Sequence, residues 1–199
     1  PWSFCHPANP NHNPRSQKEK PYNLPVMAEL LAAKLIRDIP DFPKPGIIFK
    51  DISPVLQDPL ALKQAVEFMA LDVRAKKAEV VVGIESRGFI FGVPIALELG
   101  LPFVMTRKVG KLPYKTIQTE YSLEYGTAKI EMHVDSLESG QRAYIIDDLL
   151  ATGGTAAASA HLVEALGGKV CGFGFMVELG FLNGREKLQG YDVCSLITF

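Results

Sequence analysis

The chain has 199 residues, 47% of them hydrophobic, and its 21 Lys+Arg against 22 Asp+Glu leave a net charge of −1. That length suits one domain with a full core, and the balanced charge speaks against a nucleic-acid binder or a membrane-surface protein. No apolar stretch reaches the ~18 residues of a membrane span, and Cys5, Cys171 and Cys194, odd in number and far apart, favour reduced thiols in a cytoplasmic protein over disulfides.

Residues 1–26 are rich in Pro, Asn, Lys and Gln and carry no apolar period, which predicts a flexible N-terminal tail or an added extension ahead of Met27. Residues 27–199 then read as a single domain. Leu30, Leu31, Ile36 and Ile39 predict a helix over Met27–Ile39 that Pro40 ends. Asp58 as N-cap and Pro59 behind it open a second helix, Pro59 to Arg74, with Leu62, Val66, Met69 and Val73 on one face. Val80–Ile84 is a buried strand, Gly88–Leu99 an apolar helix closed by Gly100, and Phe103–Thr106 another strand.

Around Tyr121, Leu123 and Tyr125, and again at Ile130, Met132 and Val134, apolar and polar residues alternate about a Gly126-Thr127 turn. This predicts an antiparallel hairpin with one wet face, suited to a flap. Ala143–Ile146, Ala156–Leu166 and Val170–Val177 repeat the strand-helix-strand cycle, and Val193–Thr198 is the last strand. The alternation predicts an α/β fold, a mainly parallel sheet flanked by helices.

The chemistry concentrates after three of these strands. Asp147-Asp148 falls at the expected end of Ala143–Ile146, where ligands of open α/β sheets bind. Ala151-Thr152-Gly153-Gly154-Thr155 follows, with two glycines that let N–H groups turn inward and two hydroxyls, just before a helix. A turn and a helix cap would explain either half alone. Together they suit a sugar phosphate: carboxylates accept from vicinal hydroxyls, and the small-residue loop cradles a 5′-phosphate. A Walker-type ATP loop is excluded, because this loop has no lysine.

Glu85-Ser86-Arg87-Gly88 forms a second strand-to-helix turn on the same edge. There Arg87 can fork onto a diphosphate while Ser86 and the Gly88 N–H donate. Glu85 and Arg87 could equally be solvated surface charges. Arg107, Lys108 and Lys111 follow the next strand around Gly110, placed to neutralise a leaving diphosphate.

The Asp147 to Thr155 segment resembles the phosphoribosyl-diphosphate (PRPP) signature of the type I phosphoribosyltransferases. Phe42 to Pro54, Glu85 to Phe89, Arg107 to Pro113 and Tyr121 to Gly126, in this order, resemble more narrowly the adenine phosphoribosyltransferase family. The resemblance covers about residues 30–199. It implies the type I phosphoribosyltransferase fold with a flap hairpin and a small N-terminal hood, residues 27–58, that holds the base. It implies transfer of the phosphoribosyl group of PRPP to adenine, giving AMP and diphosphate, with Mg²⁺ bound mainly through PRPP and no confident protein ligand to the metal.

By the same resemblance, Asp147 and Asp148 bind the ribose and residues 151–155 the 5′-phosphate. Glu85, Ser86, Arg87, Gly88, Arg107, Lys108, Lys111 and Tyr125 form the diphosphate site, with a non-proline cis peptide in the 85–88 turn. Ile48, Phe49 and Lys50 lie at the adenine, where main-chain groups read the purine edge. Glu124 is the flap acid, and it, Arg87 and Lys111 are the catalytic candidates. The family likeness also implies a homodimer without nucleic-acid or membrane partners. Two rivals remain at this point: a sibling transferase for another base, and a PRPP-sensing regulator without transfer activity.

Overall fold

The computed structural model describes residues 30–122 and 127–199. Its centre is a seven-stranded sheet in the order β5-β6-β4-β3-β7-β8-β9. The strands are β3 (Val80–Ile84), β4 (Phe103–Lys108), β5 (Thr116–Ser122), β6 (Thr127–His133), β7 (Arg142–Leu150), β8 (Lys169–Glu178) and β9 (Val193–Thr198). Five of them, β4-β3-β7-β8-β9, run parallel, as the alternating pattern predicts, and the β5-β6 hairpin joins antiparallel at the β4 edge.

Successive residues of a strand face opposite layers, so the sheet serves two cores. Val81, Tyr144 and Ile146 pack with α3 (Pro59–Ala75) and α4 (Gly88–Leu99), while Val80, Val82, Ile145 and Phe173 pack with α5 (Gly154–Ala165). Burial on both faces explains why these strands are nearly continuous apolar runs. The Asp58 carboxylate accepts from Leu60 N and Ala61 N at 2.9 and 3.0 Å, so α3 starts where its cap and Pro59 predict. Gly100, at φ +67°, ends α4 in the left-handed conformation that favours glycine.

The N-terminal segment departs from expectation. In place of a helix to Ile39, α1 spans only Leu31–Leu35, and Arg37–Pro40 is a strand, β1, antiparallel to β2 (Ile48–Asp51). A short helix α2 (Ser53–Gln57) follows. Arg37 donates to Asp51 Oδ2 at 3.1 Å from Nε and 2.5 Å from Nη2, and Lys50 Nζ donates to Asp38 Oδ1 at 2.7 Å. These cross-strand pairs give residues 37–40 a β partner that a helical reading could not offer.

The hairpin also differs from expectation. Its first strand starts at Thr116, and Ile130, Glu131 and Met132 are all buried, so the polar face is not wet there. The cause is that β6 pairs with β4, Arg107 opposite Glu131, and so lies inside the sheet. Cys171 and Cys194 are free thiols, and among the described residues no helix is long and apolar enough to cross a membrane.

Candidate active site

Three segments meet at the carboxyl edge of the parallel strands: residues 85–88 after β3, 107–112 from the end of β4 onward, and 147–155 along the end of β7. Their approach is close. A Cβ added to Gly88 would lie 2.5 Å from Ile146 O and 3.1 Å from Asp147 Oδ1, so only glycine lets the start of α4 reach β7 there. The Glu85–Ser86 peptide is cis, as the resemblance implies.

Asp147 and Asp148 do not follow a strand end, as expected, but lie inside β7, which pairs with β8 as far as Leu150. What stops before them is β3, whose last pair with β7 is Gly83–Ile146. Beyond that point β7 has an open side facing the 85–88 turn. Asp148, 3% exposed, takes Arg87 Nε at 3.0 Å on Oδ2, and Asp147 Oδ1 accepts the Asp148 N–H at 2.9 Å.

Burial pushes the Asp147 carboxyl up, and the neighbouring Asp148 charge pushes it further. Burial raises Asp148 as well, against the pull of Arg87. Two acids with one cation between them hold their second charge at a cost, and hydroxyl donors from a vicinal diol would relieve it.

The 151–155 loop lines an open cavity of about 80 Å³ shared with Asp147, Leu149, Leu150, Ala156 and Phe175. That is several times what one water needs, about 10–15 Å³. The helix α5 begins at Gly154, two residues earlier than expected, so Gly154 and Thr155 form its first turn behind Gly153 at φ +76°. The cap residue supplies no side-chain hydrogen bond and the first turn has no acid, which leaves its N–H groups to an incoming anion.

On the other side the cations are held by acids. Arg107 donates from Nε and Nη2 to Glu85 at 3.1 and 3.2 Å, and Lys108 N donates to Glu85 Oε2 at 2.9 Å. Burial works to raise the Glu85 carboxyl, but the bonds from Arg107 and Lys108 prevail and lower it. Glu85 therefore anchors the cation loop, while Ser86, Lys108 and Lys111 are exposed at its surface.

The hood reaches this edge through Phe49. Its ring meets Phe42 edge-on, with centroids 5.2 Å apart, and the Arg87 guanidinium carbon lies 5.8 Å from its centroid. Ile48 is 55% exposed, and Lys50 is engaged by Asp38 and by the Phe199 ring, 3.8 Å from its Nζ. The Lys50 ammonium is thus already engaged within the protein. Glu124 and Tyr125 lie outside the described residues.

Sequence reasoning missed four supports of the site. Gly184 packs so tightly behind the 151–155 loop that a Cβ on Gly153 would run into the Gly184 carbonyl oxygen. Arg185, next to it, is tied to Glu178 by two bonds of 2.7 Å. Thr155 Oγ1 donates to the Tyr121 hydroxyl at 3.1 Å, joining the hairpin to the 151–155 loop. The fourth, Glu131, carried one signal: it is an acid inside the apolar run Ile130 to Met132.

Known proteins match this chain over most of its length. A family model described as "Phosphoribosyl transferase domain" matches residues 55–192. The adenine phosphoribosyltransferase of Acetivibrio thermocellus is 57% identical over 170 residues, covering 85% of this chain and 99% of that one. The crystal structure of the adenine phosphoribosyltransferase from Thermoanaerobacter pseudethanolicus is 54% identical, covers 84% of this chain and 98% of its own, and superposes with a TM-score of 0.82. That of Saccharomyces cerevisiae, complexed with an imino-altritol bisphosphate and adenine, is 37% identical with a TM-score of 0.79, over 83% of this chain and 96% of its own.

Proposed function

The chain belongs to the adenine phosphoribosyltransferase family, and from that premise we propose that it joins adenine to the 5-phosphoribosyl group of PRPP, leaving AMP and diphosphate, as a step of purine salvage. The observation that carries the assignment of residues is the convergence of Gly88 on Asp147 and of Arg87 on Asp148, which supports reading the 85–88 turn as a diphosphate site and the acid pair as diol acceptors.

In this reading N9 of adenine attacks C1′ of the ribose, the C1′–O bond to diphosphate breaks, and its electron pair leaves with the diphosphate. The anomeric carbon passes through an oxocarbenium-like state, so catalysis is mostly positioning and charge stabilisation. Asp147 and Asp148 accept from the ribose hydroxyls, and the N–H groups and hydroxyls of residues 151–155 hold the 5′-phosphate. Arg87 neutralises Asp148 in the free protein and turns to the diphosphate when the ribose arrives, where Lys108 and Lys111 join it and Glu85 keeps Arg107 in place.

Main-chain groups of Ile48 and Lys50 read the base, with Phe49 against it. Glu124 takes or stabilises the proton lost from the base, and Tyr125 lies by the diphosphate. These last two assignments rest on family resemblance.

Among the described residues no cluster of three or more His, Cys, Asp or Glu could hold a metal ion. The two aspartate carboxylates suit a hard cation that keeps most of its other ligands from substrate and water, which fits Mg²⁺ carried on PRPP oxygens. Bound there, it would neutralise charge building on the diphosphate. The protein would work in the cytoplasm as a homodimer, which sedimentation would report as twice the chain mass.

The test offers adenine, hypoxanthine and guanine in turn with PRPP and Mg²⁺. The proposal expects AMP from adenine and little product from the other two. A preference for another base would make the chain a sibling transferase, and no transfer at all would make it a PRPP-binding regulator.

A further inference from the structure

Glu131 is 2% exposed between Ile130 and Met132, both buried apolar side chains, at a position where an apolar residue would be cheaper to bury. Its carboxylate bonds go to the segment that follows β4 and to Thr116, the first residue of β5. Oε1 accepts from Lys111 N and from Leu112 N, each at 3.0 Å, and Oε2 accepts from Thr116 Oγ1 at 3.1 Å. Burial pushes its carboxyl up, yet the donors at Leu112, Thr116, Lys111 and Gly110 outweigh that and bring it below the usual range.

The Lys111 carbonyl is fixed as well, accepting from Arg107 Nη1 at 3.1 Å. Lys111 thus has both main-chain groups tied down while its side chain is exposed. Fixing the backbone of a residue carries an entropy cost, and here that cost is met in folding rather than at the moment of binding.

We propose that Glu131 is a positioning residue for the diphosphate, holding the backbone of residues 110–112 so that Lys111 is already aimed when the diphosphate arrives. Glu85 grips the start of the same loop and Glu131 its end. The proposal rests on the transferase reading above and adds a residue to its machinery.

AMP shares the base, ribose and 5′-phosphate with the full reaction but lacks the diphosphate, so it separates positioning from general damage. Calorimetric titration of the full chain with AMP, and separately with inorganic diphosphate and Mg²⁺, would compare the parent with Glu131→Gln, Lys111→Ala and the double variant. Glu131→Gln is expected to weaken diphosphate about tenfold, the size of one charge-assisted bond, and to leave AMP within about twofold. The double variant is expected to be no weaker than the worse single one, because both changes remove the same aimed cation.

Unchanged diphosphate affinity, an equal loss for AMP, or losses that add would overturn the proposal. If Glu131→Gln melts, Thr116→Val removes one bond to the same carboxylate. It should give a smaller loss of the same selectivity, and undiminished diphosphate binding there would overturn the proposal too. A parent protein that takes up neither ligand would contradict the transferase reading itself, and this inference with it.

Discussion

Residues 151–155 offer a phosphate only N–H groups and two hydroxyls at the start of α5, whereas residues 85–88 and 107–112 offer guanidinium and ammonium groups steadied by Glu85 and Glu131. The difference follows the chemistry proposed for each end. The 5′-phosphate stays on the sugar with unchanged charge, so fixed dipoles are enough and a lysine would only tighten product. The diphosphate gains charge as it leaves, and full cations stabilise that state more than the ground state. The paired aspartates sit between the two and belong to both.

The largest effect should come from breaking the dipole end. Gly153→Ala forces a Cβ into φ +76° and against the Gly184 carbonyl. With strain on the order of 1–3 kcal/mol and a displaced loop, PRPP turnover and AMP binding should both fall roughly a hundredfold or more. Titration with AMP checks this, and a loss confined to PRPP would show that the phosphate lies elsewhere.

A smaller effect is expected in the middle of the site. Asp148→Asn removes one charge-assisted acceptor, about 1.5–3 kcal/mol, so kcat/KM for PRPP should drop tenfold to hundredfold with the fold intact. Steady-state rates alongside circular dichroism measure it, and parental activity would count against the ribose role.

The smallest effect is on stability. The Asp147 carboxyl titrates above its ordinary 3.8 in the folded protein, so protonating it favours the fold. The stability it contributes is complete below that ordinary value and is lost as pH rises through the raised one. Asp147→Asn escapes this loss, so the variant should gain on the parent as pH climbs above the ordinary carboxylate range, even as activity falls. Urea midpoints at several pH values would show it, and parallel curves would mean the charge is well solvated.

How much could be read from the chain alone follows the range of the interactions. The β7 signature was legible because a buried strand, an acid pair and a glycine loop are adjacent in sequence. The parallel core was legible because Val80–Ile84 and Ala143–Ile146 are apolar on both faces. The hood was not, since the spacing of Leu30, Leu31, Ile36 and Ile39 imitates a helix. Only the pairing of Arg37 with Asp51, across a 14-residue gap, makes residues 37–40 a strand. The burial of Glu131 likewise depends on β6 meeting β4 and shows locally only as an acid inside an apolar run, while the fit of Gly153 depends on Gly184 and leaves no local mark.

The most direct test of the account is a crystal structure with AMP bound. It should place the 5′-phosphate oxygens about 3 Å from N–H groups of residues 152–155 and the ribose hydroxyls on Asp147 and Asp148, with Arg87 drawn off Asp148. A nucleotide whose phosphate sits on Arg107 or Lys111, with the 151–155 loop facing away, would contradict it.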